Sequence, residues 1–223
     1  MEKDIINALA TCPLFAEMDF YEIENLLDSV QYKLVTYAKK DIYGITGTPI
    51  KYADIVVKGE FKAKMMGLSG KIVEVSRLTS GNMIAPAFIF SKENKLPVTV
   101  EAEETTTIFR MSAQELKRLI DTNEQIRSNY IQTLSNIQVF LTRKMRILSL
   151  LTAREKVVYF ILSAAKEQGS NIVKLDKSRQ EIADSFGIQK FSLLRCLSEL
   201  TENGAIEVNG KTIKILDRNK MNL

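Results

Sequence analysis

The run from residue 123 to residue 150 contains neither glycine nor proline, and it constrains the fold of the chain more than any other feature. Without a helix breaker, it is predicted to form one helix of roughly 40 Å. Its apolar residues recur three and four positions apart, which is the seam of a two-stranded coiled coil and indicates a parallel dimer. A long helix buried inside one monomer would show the same pattern. The seam residues are Ile131, Leu134, Gln138, Leu141, Met145 and Leu148.

The sequence pattern before this helix changes from helical to β-type and back to helical. Residues 4–9 and 20–27 have helical apolar spacing, whereas residues 30 to about 110 consist of short β-type runs separated by Gly, Pro and Asn. Turns are predicted at residues 58–60 and 68–71, which indicates an antiparallel sandwich or barrel. At residues 112–115 a Ser-Ala-Gln-Glu capping box then predicts the start of a further helix.

The chain after the long helix is predicted as a helix, a short strand, two close helices and a hairpin. The hairpin is indicated by alternating residues on both sides of Asn209 and Gly210. An Asn-Gly pair favours a type I′ turn, in which both central residues have positive φ.

The most informative segment covers the two close helices, residues 178–200. Ser178 and Glu181 have capping-box spacing, Ala183 is small where two helices approach, and Gly187 supplies a tight turn. Together they meet the steric demands of a helix-turn-helix, with the hairpin as its wing. A generic αα-hairpin would share part of the pattern. The predicted inner faces comprise Ile182, Phe186, Ile188, Leu193, Cys196, Leu197 and Leu200.

If the second helix enters a DNA major groove, its outward residues contact base edges. Arg195 offers a bidentate fork to guanine, Lys190 reaches guanine or phosphate, and Phe191 suits a thymine methyl group. Gln189 and Leu194 complete this face. Contacts to phosphate would come from Arg179, from Ser192, and from Lys211 or Thr212 of the wing. For Lys190 or Arg195 taken alone, an ordinary solvated side chain is the simpler interpretation.

Composition excludes several kinds of chemistry. The chain has no histidine, and its two cysteines, Cys12 and Cys196, lie 184 positions apart, so His-based hydrolysis and common zinc, haem and iron–sulfur sites are not expected. The acids Glu101, Glu103 and Glu104 form a cluster without a basic or metal-binding neighbour in sequence. We therefore expect no enzyme activity, no metal and no cofactor.

Charge and hydropathy point to a partner and a location. The net charge is +4, and residues 112–223 hold 18 basic and 12 acidic side chains. This excess favours a polyanion, although an ordinary solvated surface explains so small a value equally well. No run reaches the roughly 18 apolar residues of a membrane span, so we expect a cytoplasmic protein without membrane contact.

The order of the motifs resembles the Crp/Fnr family of bacterial transcription regulators. Residues 12–15 and 21–27 are similar to the family's amino-terminal helices, 55–60 to its central β-roll motif and 80–84 to the approach to its ligand pocket. Residues 179–195 are similar to its helix-turn-helix signature, the most specific of these motifs.

The resemblance implies an α+β fold. It places a cyclic-nucleotide-binding-like β-roll (jelly roll) sensor domain at residues 1–122, a dimerisation helix at 123–150 and a winged helix-turn-helix DNA-binding domain at 151–223. It implies a homodimer that binds an imperfect palindrome in double-stranded DNA and works with RNA polymerase. A sensing module whose helix-turn-helix is vestigial or contacts protein is the alternative.

The sequence departs from the cyclic-AMP-binding members at two positions. Pro86 stands where they carry a ribose-binding glutamate, and Leu96 where they carry a phosphate-binding arginine. A pocket without that arginine loses a charge-assisted bidentate pair, so cyclic-nucleotide binding is not expected. The remaining pocket would take an unknown apolar effector or be a filled core. Its lining would be Met65, Met83, Ile84, Ala85, Phe88 and Phe90.

The DNA-reading positions differ from the family pattern as well. Members that read a TGTGA-type half-site carry Arg-Glu where this chain has Lys190 and Phe191, while Arg195 matches their second arginine. Because this chain lacks the acid that reads cytosine, its operator is expected to differ from a TGTGA-type half-site.

Overall fold

A computed structural model describes residues 2–67 and 72–221, and the chain divides into two compact units, Met1–Val139 and Phe140–Leu223. The expected α+β class is confirmed: antiparallel sheets fill the first unit, a long helix follows, and a helix-turn-helix with a small sheet forms the second. The predicted turn at residues 68–71 lies outside the described residues.

The first unit is built on two antiparallel sheets. Its strands are β1 (Tyr32–Tyr37), β2 (Ile42–Gly44), β3 (Tyr52–Lys58), β4 (Phe61–Met66), β5 (Ile72–Leu78), β6 (Thr99–Ala102) and β7 (Thr106–Ser112). One sheet has the order β1-β7-β3 and the other β2-β6-β4-β5. The predicted turn between β3 and β4 contains Gly59 at φ +91°, where a Cβ would lie 2.7 Å from the Thr105 carbonyl oxygen. Only glycine fits this turn without displacing backbone.

Helices precede and follow these strands along the chain. They are α1 (Glu2–Ala10), α2 (Phe20–Asp28) and α3 (Ala113–Thr122), followed by α4 (Glu124–Leu150). Only one of the two hydrogen bonds of the capping box expected for α3 is present. The Ser112 hydroxyl accepts from the Glu115 amide at 3.0 Å, but the Glu115 carboxylate binds Arg118. An arginine one turn further along the helix competes for the carboxylate, and sequence spacing alone does not resolve that competition.

A buried ion pair joins β3 to β7 inside the first unit. Asp54 is fully buried and accepts from Arg110 through both carboxylate oxygens, the shortest contact being 2.6 Å from Nη2. The Tyr43 hydroxyl donates to Asp54 at 2.7 Å, and the Arg110 guanidinium lies 4.7 Å from the centre of the Tyr52 ring. Burial lowers the pKa of Arg110, but the hydrogen bonds and charge of Asp54 outweigh burial and raise it overall. Asp54 therefore compensates the buried guanidinium, and aromatic rings lie around the pair.

The second unit follows the predicted order of elements. It contains α5 (Ala153–Glu167), β8 (Ile172–Lys174), α6 (Arg179–Ser185), α7 (Lys190–Glu202), β9 (Ile206–Asn209) and β10 (Thr212–Ile215). The three strands form an antiparallel sheet in the order β8-β10-β9.

The type of the β9–β10 turn was predicted wrongly. Asn209 pairs with Thr212, so the two loop residues are Gly210 and Lys211 rather than Asn209 and Gly210. Gly210 has φ +54°, whereas neither Asn209 nor Lys211 belongs to the described residues with positive φ. A positive φ at the first loop position alone is typical of a type II′ turn. Because the turn is shifted by one residue, Lys211 occupies its tip.

Candidate nucleic-acid interface

The helix-turn-helix forms as its residues predict. At the start of α6 the Ser178 hydroxyl accepts from the Glu181 amide, and the Glu181 carboxylate accepts from the Ser178 amide, which completes the predicted capping box. Gly187 has φ +62° in the turn, and the Ile188 amide donates to the Ala183 carbonyl at 3.0 Å. Ala183 is fully buried. A small residue and a left-handed glycine thus allow the two helices to approach closely.

The inner face of α7 anchors that helix on the core of the second unit. Its buried residues are Leu193, Cys196, Leu197 and Leu200. Burial raises the pKa of the Cys196 thiol, so this cysteine remains a protonated packing residue. With its inner face fixed, α7 presents a defined outer face to solvent.

The outer face carries the predicted base-contacting residues close to the amino end of α7. Gln189, Lys190 and Arg195 are exposed, and Phe191 has 73% of its surface accessible. Leu194, three residues after Phe191, is exposed as well, whereas Ser192 is half-buried. Exposed apolar and cationic residues therefore share one helix face, which suits the methyl groups and acceptors of a major groove.

Arg195 has a partner that the sequence interpretation missed. Its Nε donates to Glu199 at 2.9 Å, and both side chains are exposed. The spacing of four residues was the available signal. Exposed pairs of this kind contribute little stability, so the guanidinium can exchange this partner for a base or a phosphate.

Arg179 lies where α6 meets the wing. Its Nη2 donates to the Gly210 carbonyl oxygen at 3.0 Å, and burial lowers its pKa. Lys211 at the turn tip is exposed, and Thr212 is half-buried. Arg179, predicted as a phosphate contact, thus also fixes the wing turn that carries Lys211.

The predicted dimer seam lies along α4. Ile131, Leu141, Met145 and Leu148 are exposed apolar residues, and Gln138 is exposed among them. Leu134 is half-buried against the core of the first unit. A seam of this length and composition is typical of a helix face that another protein surface covers.

The predicted effector-pocket residues occupy three different environments. Met83 and Ile84 are buried, Ala85 and Phe88 are half-buried, and Met65 and Phe90 are about half exposed. The Phe90 ring packs edge-on against Tyr130 at 5.9 Å. Two of the six thus belong to the core of the first unit, and two lie at its surface.

The two positions that depart from cyclic-AMP-binding members have structural roles here. The Tyr130 hydroxyl of α4 donates to the Pro86 carbonyl at 2.8 Å. Leu96 is buried, and its side chain lies so close to Gly44 that a Cβ there would clash with it. Pro86 therefore holds α4 through its backbone carbonyl and Leu96 packs in the core, and neither side chain offers a carboxylate acceptor to a ribose or a guanidinium donor to a cyclic phosphate.

Two acids of the cluster at the end of β6, Glu101 and Glu103, have basic partners on β4. Lys64 binds Glu101 and Lys62 binds Glu103, both at 2.7 Å, and the Lys62 hydrogen bond lowers the pKa of Glu103.

Burial raises the pKa of Cys12 to about 12, which makes this thiol unreactive. Among residues 2–67 and 72–221, no group of three His, Cys, Asp or Glu side chains is arranged to hold a metal ion.

Comparison with known proteins assigns a domain to each unit. The family model of the cyclic nucleotide-binding domain matches residues 34–123, and that of the Crp-like helix-turn-helix domain matches residues 155–222. Transcriptional activator protein FnrA of Stutzerimonas stutzeri is 29% identical over 126 residues, which cover 54% of this chain and 52% of FnrA. This chain thus spans about half the length of that relative.

Two further comparisons extend over more of the chain. Electron transport regulator A of Shewanella oneidensis is 23% identical over 207 residues, or 91% of this chain and 82% of that protein. The structure of a CooA mutant from Carboxydothermus hydrogenoformans is similar with a TM-score of 0.66 at 19% identity, and covers 93% of this chain and 95% of its own. At 19% identity, this structural similarity supports the assignment of the fold alone.

The architecture of the chain and its two matched domains together identify the class of protein and its family. A β-roll followed by a long helix and a winged helix-turn-helix is the architecture of a regulator that joins a sensor-type domain to a DNA-binding domain. The chain belongs to the Crp/Fnr family of transcription regulators, as the motifs of its sequence predict. In the part of the chain that the structure describes, no helix has the length and apolar character needed to cross a membrane.

Proposed function

We propose that the protein is a homodimeric transcription regulator that binds an imperfect palindromic operator through α7. The observation that carries this proposal is the outer face of α7, where Lys190, Phe191 and Arg195 are exposed together on a helix whose opposite face is buried. Such a helix has a fixed orientation, and the one ion pair that the described residues show on this face, from Arg195 to Glu199, is exposed to solvent. Because its ligand would be chromosomal DNA, we place the regulator in the cytoplasm.

In the proposed complex, each α7 lies in a major groove, and the two grooves are one helical turn apart. Arg195 releases Glu199 and pairs with guanine, while Phe191 and Leu194 contact thymine methyl groups. Lys211 at the wing tip approaches the phosphate backbone and sets the register. The palindrome follows from the two-fold symmetry of the dimer.

Control by cyclic AMP does not fit the first unit. Pro86 and Leu96 have apolar side chains at the positions where cyclic-AMP-binding members carry a carboxylate and a guanidinium. We therefore propose a regulator that responds to another effector or to none, and that acts on transcription through RNA polymerase.

The test of DNA binding is footprinting of genomic fragments with the purified full chain. We expect protection of a palindromic site, and an affinity that falls by at least about a hundredfold between 50 and 200 mM salt, since lysine and arginine displace counterions. Failure to protect any fragment, or binding that does not respond to salt, would contradict the proposal.

The dimer is tested by Met145→Glu. Met145 has 64% of its surface exposed on the seam, and the substitution would bring two carboxylates together across the symmetric interface. We expect sedimentation equilibrium to show the wild type as a dimer and the variant with a dimer dissociation constant at least about a hundredfold higher. Val139→Glu is the matched control, because Val139 is also an exposed apolar residue of α4 but lies on a face turned away from the seam. Equal dimerisation of wild type and Met145→Glu would contradict the assigned seam.

A second candidate function rests on the apolar part of the same α7 face. Phe191 and Leu194 would also suit a protein partner, since exposed aromatic and aliphatic residues form the centre of many protein interfaces. In that case the helix-turn-helix contacts protein, and the chain is a sensing module that does not bind DNA.

A further inference from the structure

A cavity of about 490 Å³ lies inside the second unit, between the last turns of α4 and the helices α5 and α6. Its volume matches that of a small-molecule site. All of its lining residues belong to Phe140–Leu223, and they combine aromatic rings with cationic side chains. None of these features is used in the proposed contact with DNA.

The walls of the cavity are apolar and partly preformed. Phe160 of α5 and Phe186 at the end of α6 meet edge-to-face with their ring centres 5.9 Å apart. Ile147 of α4 and Ile182 of α6 also line the space. Half-buried aromatic rings of this kind gain free energy when an apolar body covers their remaining surface.

The charges around the cavity are unbalanced. Arg143, Lys144 and Lys177 line it, against the single carboxylate of Glu167. Within residues 2–67 and 72–221, none of the three cations has an ion pair or a hydrogen-bonded partner; the Lys144 ammonium lies 5.9 Å from the centre of the Phe140 ring. The site therefore offers positive charge beside an apolar wall, which complements a molecule with an apolar body and one negative group.

Of the α4 residues that line the cavity, Leu148 belongs to the predicted dimer seam and the others lie beside it. Phe140, Lys144 and Ile147 form a stripe about a third of a turn away from the stripe of Leu141 and Met145. A partner helix packed on the seam would therefore leave most of this stripe open.

We propose that this cavity binds an amphipathic carboxylate, an acyl or aryl acid whose carboxylate pairs with Arg143 and Lys144 and whose apolar body packs on Phe160 and Phe186. Such an acid would contact α6, the first helix of the helix-turn-helix. It would thus be placed to affect operator binding, and this last step rests on the proposed function.

The experiment uses the absence of tryptophan from the chain. Tyr159→Trp in the protein introduces a single tryptophan into the cavity lining, and Tyr21→Trp places one on an exposed position of α2 as the matched control. Each variant is titrated with sodium decanoate below its micellar concentration and, separately, with 1-decanol. No DNA is present, so the result does not depend on whether the chain binds an operator.

We expect decanoate to produce a saturable change in the tryptophan emission of the Tyr159→Trp variant and no change in that of the Tyr21→Trp variant. In the Tyr159→Trp background, Arg143→Gln with Lys144→Gln should weaken decanoate binding by at least about tenfold, as expected for the loss of a charge-assisted pair. Circular dichroism of this triple variant checks that the fold is kept.

Four outcomes of the titrations would overturn the proposal. They are the absence of a saturable change in Tyr159→Trp, the same change in Tyr21→Trp, equal binding of 1-decanol, and unaltered decanoate binding by the charge-neutral variant. A change in the emission of the Tyr159→Trp variant on dilution without any acid would instead indicate that a second copy of the chain fills the cavity, which also overturns it.

Discussion

Arg195→Ala should weaken operator binding by at least about a hundredfold while leaving the fold and the dimer intact. A bidentate arginine–guanine pair contributes about 1–3 kcal/mol, and a symmetric dimer loses it twice. Arg195 is exposed and makes one side-chain pair, with Glu199, so its removal creates no cavity and leaves no buried group without a partner. The measurement is a gel-shift titration on the footprinted operator.

Arg218→Ala is the matched control for this loss. Arg218 is also an exposed arginine of the second unit, but it binds Asn171 beside β8 and lies outside α7 and the wing turn. If non-specific charge dominates DNA binding, the two variants lose similar affinity. If Arg195 reads a base, the Arg195→Ala loss is far larger on the operator than on random DNA of the same length. Unchanged operator binding by Arg195→Ala would favour the alternative in which the helix-turn-helix contacts protein.

Asp54→Ala should destabilise the first unit by about 3–5 kcal/mol, since removal of one partner of a buried ion pair leaves the other charge uncompensated. Arg110 then remains inside the unit with the Tyr37 and Tyr43 hydroxyls nearby but no anion. Scanning calorimetry should show the transition of this unit about 10 °C or more below that of the wild type. The transition of the second unit serves as the internal reference.

The double variant Asp54→Leu with Arg110→Met tests the assigned reason for that loss. Replacing both charges by apolar side chains removes the uncompensated guanidinium, so most of the lost stability should return. A control is Arg77→Ala, which removes an arginine from the exposed ion pairs with Glu60 and Glu74 and should change stability by less than about 1 kcal/mol. If Asp54→Ala lowers stability no more than Arg77→Ala, the pair contributes far less than its burial implies.

Local sequence signals predicted the second unit well. The capping box at Ser178, the turn glycine at position 187 and the small residue at 183 each act within a few residues, so spacing is enough to infer their geometry. The continuity of α4 is explained in the same way by the absence of helix breakers between residues 123 and 150. Where two local interactions compete, spacing did not decide the outcome: Glu115 binds Arg118 rather than the cap, and the wing turn centres one residue later than Asn209.

Contacts between distant residues could not be predicted in this way. Asp54 and Arg110 are 56 positions apart and meet because β3 and β7 pair in the register that places them opposite each other. The same limit applies to the bond between Arg179 and Gly210, which joins residues 31 positions apart. Sequence spacing therefore identified the α7 face as a candidate interface, while the partners that hold its surroundings in place required the three-dimensional structure.

The bond from Arg179 to the wing turn has a consequence for how quickly and how tightly the second unit can engage DNA. Because a half-buried guanidinium holds the Gly210 carbonyl, the wing turn is ordered with respect to α6 before any ligand arrives. A hairpin tip that is already ordered loses less conformational entropy on association than a freely moving one. Lys211 and α7 would then meet the duplex as one rigid surface, so that contact made by either element brings the other into place.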